Sequence, residues 1–167
     1  MMVEAIDHLE LEDRFDVVEA FVRSWSNHDI ESCLEHVAPN VQYSDNIGDS
    51  YESYKGAWHG KDELRRIMLM VKKHWTHLAM MPRHFRPRME DPALIQCQIE
   101  FVLLHKASGE FLFGNNRLVT RFEDGLISEI QVFHDAPMFR AFLRLIATKA
   151  CAGERAASLP ANSTAVC

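Results

Sequence analysis

Three side chains able to move protons stand on segments predicted to be β-strands, namely Asp45, His84 and His105. Asp45 ends a short strand and is suited to act as a general base, because an apolar pocket raises the pKa of a carboxyl group. The two histidines are suited to act as the acid or to orient the base, since imidazole titrates near neutral pH. We expect these three catalytic residues to converge on one apolar cavity.

Each of the three also has a structural interpretation. Asp45 is followed by Asn46 and could bond its own backbone at the start of a loop. His84 lies on a strand interrupted by prolines, which blurs the face it occupies. His105 could be a core imidazole, because it shares an alternating face with Ile95, Cys97, Ile99, Phe101 and Leu103.

Five further side chains are expected to bind a ligand rather than to react with it. The tyrosine shares a face with Asp45 in a regular strand, and its hydroxyl can meet a ligand oxygen. The asparagine amide can donate to a ligand carbonyl, and the tryptophans can wall a flat ring. For each residue, packing in the core is the alternative. The five are Tyr43, Trp25, Trp58, Asn116 and His134.

The elements that must position these residues follow from hydrophobic periodicity. Apolar residues at i, i+3, i+4 and i+7 predict four helices, which begin at Asp13, Asp29, Gly60 and Asp135. Strict alternation and an Asp124-Gly125 hairpin signal predict strands over 41–45, 79–90, 94–107, 110–122 and 126–134.

This order predicts an α+β fold, in which three helices of the amino-terminal half and a carboxy-terminal helix wrap a cone-shaped, strongly curved antiparallel or mixed sheet. A curved sheet cannot contact its helices everywhere, so a pocket is expected at its open end. Residues 1–12 are expected to form an arm, 13–149 a single domain, and 150–167 a disordered tail, because the tail has no periodicity.

Several short segments carry a family resemblance. They are residues 17–21 and 25–29 on the first helix and its end, 38–41, 44–48, 59–64, 122–125 and 133–135. Together with the element order they resemble the nuclear transport factor 2-like superfamily, which includes ketosteroid isomerase, scytalone dehydratase, limonene epoxide hydrolase and SnoaL-type cyclases. The resemblance implies the cone-shaped roll described above and a homodimer.

The resemblance also implies roles for particular positions. Asp45 falls where ketosteroid isomerase keeps its catalytic base, whereas Phe21 and Leu118 fall where that family keeps its two hydrogen-bond donors. All of these positions are expected to line the pocket.

Comparison with the other families adds three positions. His84 resembles the first catalytic histidine of scytalone dehydratase, and His105 lies within a residue of the second. Val132 falls where limonene epoxide hydrolase has an acid, and is expected to contact the ligand. The resemblance therefore implies cofactor-free isomerisation, dehydration or cyclisation of a small apolar carbonyl or hydroxyl compound. The alternative is a member of the same fold that only binds a small ligand or another protein.

Composition and short motifs narrow the expected partners, location and cofactors. The formal net charge of −6 disfavours nucleic acid and anionic membrane surfaces as partners. No CxxC pair occurs and the amino-terminal segment has no hydrophobic signal core, so we expect a cytoplasmic protein. His74 and His77 are three residues apart at the end of a predicted helix and have no third ligand, so they do not predict a metal site. No glycine-rich phosphate loop is present, so no cofactor is expected.

Overall fold

The computed structural model describes residues 8–47 and 57–157. The chain has an α+β fold, as predicted, with four α-helices and six β-strands in the described residues. In chain order they are α1 (His8–Ser26), α2 (Ile30–Glu35), β1 (Val37–Asp45), β2 (Trp58–His59), α3 (Lys61–His74), β3 (Trp75–Pro87), β4 (Leu94–His105), β5 (Phe111–Glu123), β6 (Leu126–Phe133) and α4 (Ala136–Ala157).

The six strands form one curved, open sheet in the order β2-β1-β6-β5-β4-β3. β1 runs parallel to β6, and every other pair of neighbours is antiparallel. The turn between β5 and β6 uses Asp124 and Gly125 with φ of 51° and 78°, so both central residues adopt the positive φ of a tight hairpin. The parallel pairing puts Asp45 opposite Val132 at the carboxyl ends of two neighbouring strands.

Two apolar clusters hold the helices against the sheet. In the larger one, α1 contributes Val18, Phe21 and Val22, which lie on one helical face and pack against inward-facing strand residues such as Ile99 and Leu118. α2 and α3 complete this cluster. The smaller one forms where α4 covers the far ends of the long strands, with Phe139 and Phe142 beside Trp75, Phe101 and Leu112. The site described below lies between these two clusters.

The structure differs from the predicted boundaries at both ends of the domain. Helix α1 begins at His8, so residues 8–12 are helical rather than part of an arm, and Asp13 lies inside the helix instead of capping it. Helix α4 continues to Ala157, so residues 150–157 are helical rather than tail. Residues 1–7 and 158–167 lie outside the described part of the chain. None of the helices in the described part is both long and apolar enough to cross a membrane.

Candidate functional site

A cavity of about 130 Å³ lies between the concave face of the sheet and helices α1, α3 and α4. Its walls are mainly apolar, with Ile99, Phe101 and Met80 from the long strands and Leu64 and Met68 from α3. Eight of the predicted site residues line it, namely Phe21, Trp25, Tyr43, Asp45, Asn116, Leu118, Val132 and His134. Three do not, namely Trp58, His84 and His105.

Asp45 is the carboxylate of this cavity. It is half-buried at the end of β1, where the backbone N–H of Ile47 donates to its Oδ1 at 3.0 Å. The hydroxyl of Tyr43 donates to its Oδ2 at 3.4 Å, so both predicted members of this strand face the same side. The turn interaction is therefore compatible with the position in the cavity, because the bonds from Ile47 and Tyr43 together orient the carboxylate.

His134 lies just beyond β6, the strand that pairs directly with β1. The side chain of Asn46 fixes the backbone of His134 through two hydrogen bonds. Nδ2 of Asn46 donates to the carbonyl of His134 at 2.9 Å, and Oδ1 of Asn46 accepts from the backbone N–H of His134 at 2.7 Å. The imidazole packs against Phe139 with 6.0 Å between ring centroids. Burial lowers the pKa of His134 to about 4, so the ring is neutral at pH 7 and retains one N–H donor.

Asn116 supplies an amide to the cavity floor from the middle of β5. It pairs with Ile99 on β4 and is only 9% exposed. Its side-chain Oδ1 has no hydrogen-bond partner among the described residues. Because a buried polar atom without a partner is costly, this amide is suited to meet a polar group of a ligand.

His77, the third residue of β3, lines the cavity. It was not among the predicted site residues. Its Nδ1 lies 3.0 Å from the carbonyl oxygen of Trp25, and its ring stacks on that of His28 with 4.1 Å between centroids. Burial, followed by the neighbouring His28, lowers the pKa of His77 to about 4. The pair Trp75-Thr76, aromatic and then β-branched, is typical of a strand and was the signal that the helix had already ended.

The expected convergence of His84 with Asp45 is wrong. Strand β3 shifts register against β4 between Arg83 and Arg86, and within that irregularity His84 adopts a φ of 56°. The side chain is exposed and faces an outer cleft of the sheet that Arg117 also borders. The irregularity changes the face that simple alternation would assign to this residue.

The expected convergence of His105 is also wrong. Its side chain is buried at 8% exposure, but at the far end of β4, where its Nδ1 lies 2.8 Å from the Oγ of Ser108. Its ring packs edge-on against Trp75 at 5.0 Å and Phe142 at 6.4 Å. Burial lowers the pKa of His105. The residue is therefore a core imidazole, which was the alternative interpretation.

The expectation that Trp58 contacts the ligand is wrong, because Trp58 does not line the cavity and is buried behind its wall. It is the first residue of the two-residue strand β2, which pairs with β1 so that Trp58 lies opposite Tyr43. Their rings are 5.8 Å apart, and Ile67 of α3 completes this small cluster. Trp58 therefore positions Tyr43 instead of contacting a ligand.

The polar groups of the cavity suit proton transfer and hydrogen bonding more than metal binding. Among the described residues no group of three or more histidine, cysteine, aspartate or glutamate side chains is arranged to hold a metal ion. What the cavity combines is one carboxylate, two imidazoles held neutral by burial, one amide and one phenol hydroxyl. Such a set can remove a proton from an apolar molecule and stabilise the charge that develops.

Comparison with known proteins identifies the family and the fold. The family model described as a SnoaL-like domain matches residues 18–130. No curated protein matches the sequence. A protein of unknown function from Burkholderia pseudomallei K96243, described as NTF2-like, has a TM-score of 0.67 and 21% identity, covering 80% of this chain and 97% of its own.

Two further solved structures share the fold at lower identity. A candidate polyketide cyclase from Xanthomonas campestris pv. campestris has a TM-score of 0.65 and 10% identity, covering 79% of this chain and 97% of its own. An LEH-like epoxide hydrolase of M. tuberculosis has a TM-score of 0.62 and 17% identity, covering 83% of this chain and 96% of its own. At these identities the likeness concerns the fold, which hosts several kinds of chemistry.

Proposed function

This chain belongs to the SnoaL-like domain family, and from that premise we propose that it is an enzyme that transfers protons on a small, largely apolar carbonyl or hydroxyl compound. The outcome would be isomerisation, dehydration or cyclisation. One observation carries the proposal: an oriented carboxylate, Asp45, and a neutral imidazole, His134, line the same mainly apolar cavity. The solved neighbours described as a polyketide cyclase and an epoxide hydrolase are consistent with an enzyme of this fold.

The mechanism begins with proton abstraction by Asp45. Its carboxylate takes a proton from the carbon next to a ligand carbonyl, and the electron pair of that C–H bond moves to the carbonyl oxygen to form an enolate. The N–H of neutral His134 and the amide of Asn116 are the donors available to this oxygen. Donors of this kind contribute about 10²–10³-fold each in enzymes that stabilise an oxyanion.

The protonated Asp45 then determines the product. Returning its proton to a different carbon gives an isomer. Expulsion of a β-hydroxyl group, which takes that proton as it leaves as water, gives a dehydrated product. Attack of the enolate carbon on a second carbonyl carbon of the same molecule closes a ring, and the proton goes to the new alkoxide. All three outcomes share the first step, so the first step is the one to test.

Exchange of carbon-bound protons measures that step without knowledge of the final product. 2-Tetralone, an apolar bicyclic ketone, is incubated with the protein in D₂O, and loss of its α-proton signal is followed by NMR. We expect exchange above the buffer rate, and a fall of about 10²-fold or more for Asp45→Asn, because general-base catalysis contributes about 10²–10⁴-fold. The asparagine keeps an oxygen that can accept from Ile47, so the turn is retained. Asp16→Asn, an exposed change on α1, is the matched control.

The alternative function is ligand binding without catalysis. It is favoured by Phe21 and Leu118, which present apolar side chains inside the cavity at positions where ketosteroid isomerases, which the sequence resembles, keep donors. It predicts that the ketone binds while its protons exchange at the buffer rate. If the Asp45→Asn variant exchanges protons as fast as the wild type, the proposed enzyme is refuted and the binding function replaces it.

A further inference from the structure

We propose that the end of the cavity nearest β3 binds a hydroxyl group of the ligand, which donates its hydrogen to Nε2 of His77. The inference extends the proposed function, because it names a feature of the ligand of the same cavity. It assigns that ligand to a chemical class, ring compounds that carry a phenol, enol or alcohol hydroxyl.

The partner of Nδ1 determines which nitrogen accepts. Nδ1 of His77 lies 3.0 Å from the carbonyl oxygen of Trp25. Because a carbonyl oxygen only accepts hydrogen bonds, the hydrogen of the neutral ring lies on Nδ1. The lone pair is then on Nε2, which makes no hydrogen bond with the described residues, while the side chain lines the cavity. His77 therefore offers an acceptor.

Contacts on two sides fix the orientation of this ring. It stacks on His28 with 4.1 Å between centroids and 29° between planes, and it meets Trp25 edge-on at 5.0 Å. The backbone N–H of His77 donates to Nε2 of His28 at 3.3 Å. A half-turn of the ring would break the bond to Trp25, and a smaller rotation would also break the stack. The acceptor is thus held in place before a ligand arrives.

Burial, together with the neighbouring charges, keeps His77 in this neutral form although its bond to the carbonyl of Trp25 acts in the opposite direction. Burial lowers its pKa to about 4, and the neighbouring His28 and Lys106 act in the same direction. Burial, followed by Lys106 and Lys72, also lowers the pKa of His28. The Nζ of Lys72 donates to the carbonyl of His28, and the Nζ of Lys106 donates to the carbonyl of Lys72, so both cations are anchored beside the pair. A further positive charge on His77 is therefore unfavourable at neutral pH.

A second acceptor in the same cavity points independently to a ligand with donors. The Oδ1 of Asn116, on a side chain 9% exposed, has no partner among the described residues. Asn116 lies opposite Ile99 of β4, and His77 lies opposite Leu103 four residues further on. At about 3.3 Å per residue the two levels are about 13 Å apart along the sheet. Apolar side chains, including Phe101, fill the interval, which suits a ring skeleton bearing hydroxyl groups.

The test compares two probes that differ only in the donor. 2-Naphthol and 2-methylnaphthalene have nearly the same shape, but only the first has a hydroxyl. Their dissociation constants are measured by quenching of tryptophan fluorescence, to which Trp25 in the cavity wall contributes. For the wild type we expect 2-naphthol to bind about tenfold more tightly, as a buried hydrogen bond typically allows.

Two variants remove the acceptor in different ways. His77→Phe keeps a flat ring but has no nitrogen. His77→Asn places an amide N–H where Nδ1 was, which can still donate to Trp25, but it has no atom at the position of Nε2. In both we expect the preference for 2-naphthol to fall to about twofold or less. His84→Phe, an exposed change on the same strand, should keep the preference. Thermal melting identifies the variants that are folded.

The outcomes separate this inference from the proposed function. If either folded variant at His77 keeps the tenfold preference, or if the wild type has none, the hydroxyl site is refuted. Proton exchange of 2-tetralone is measured separately and depends on Asp45. The hydroxyl site would be supported and the proposed catalyst refuted if the preference for 2-naphthol requires His77 while the rate of proton exchange is unchanged in Asp45→Asn.

Discussion

Two histidines of the cavity, His77 and His134, make the stability of the fold depend on pH between about 4 and 6.5. Burial lowers the pKa of each to about 4 in the folded protein, whereas a histidine in the unfolded chain has a pKa of about 6.5. Between these values the unfolded chain binds protons that the folded chain does not. Their contribution is therefore fully present above pH 6.5 and is lost as the pH falls towards 4.

The magnitude follows from the size of the shift. Each histidine changes the free energy of unfolding by up to about 1.4 kcal/mol per pH unit within this window. Integrated from pH 7 to pH 5, the two pKa values give a loss of about 2 kcal/mol per histidine, and about 4 kcal/mol for both. Since a domain is commonly stable by only about 5–15 kcal/mol, the loss is large enough to measure.

Urea unfolding at pH 7, 6 and 5, followed by tryptophan fluorescence, checks this loss. His134→Phe keeps a flat ring beside Phe139 but removes the titrating group, and it leaves the backbone bonds of Asn46 available. We expect its free energy of unfolding, relative to wild type, to rise by about 2 kcal/mol between pH 7 and pH 5. The exposed His84→Phe should follow the wild-type curve.

The refuting result is a His134→Phe variant whose stability falls with pH in parallel with the wild type. That outcome would mean that the imidazole of His134 is as well solvated in the folded state as in the unfolded chain. The ring would then be protonated in part of the molecules at pH 7, and the part of the proposed mechanism that depends on a buried, uniformly neutral His134 would fail.

Two further predictions concern how the cavity is held together. Asn46→Ala removes both side-chain bonds to the backbone of His134 and should lower the free energy of unfolding in urea by about 1–2 kcal/mol. The control Asn40→Ala, an exposed change on β1, should lower the free energy of unfolding by less than about 0.5 kcal/mol. Equal losses in the two variants would contradict a stabilising role for the Asn46 bonds. Gly114→Ala would place a Cβ 2.9 Å from the Cε of Met138, so that α4 side chain must move. We expect a loss of about 1 kcal/mol in thermal or urea unfolding because methionine is adaptable, and an unchanged midpoint would show that the contact is free to relax.

Hydrophobic periodicity was sufficient for the fold because each element has one buried face. The alternation along β4 assigns Ile95, Cys97, Ile99 and Phe101 to the interior, and all four are buried. The helical spacing of Val18, Phe21 and Val22 likewise gives the buried face of α1. These patterns, together with the family resemblance, predicted the α+β roll and its carboxy-terminal helix.

Periodicity could not predict where along a strand the cavity ends. His105 follows the alternation of β4 and does face inward, yet α4 covers that end of the strand and encloses the ring among Trp75 and Phe142. How far the cavity extends along the strands depends on where helix α4 packs against the sheet. That packing is a tertiary contact, which periodicity along one strand does not encode. The alternation along β4 would be the same whether His105 lined the cavity or was covered by α4.

Local irregularities account for the other two differences at the site. The register shift in β3 makes His84 exposed, and its prolines indicated an irregular strand without indicating the face of any one residue. His77 was assigned to a helix end because the spacing from His74 fits a helical turn. The chain instead passes from α3 into β3 at Trp75 without an intervening loop, which turns His77 into the cavity.

The parallel pairing of β1 with β6 bears on how the protein is made. Strand β1 pairs along its length with residues 127–132. This pairing, which positions Asp45, can form only after most of the chain has left the ribosome. Contacts so distant in sequence slow folding, since the loop between them must close first. A chain terminated before residue 127 would therefore lack the strand that pairs with β1, and with it the position of His134 beside Asp45.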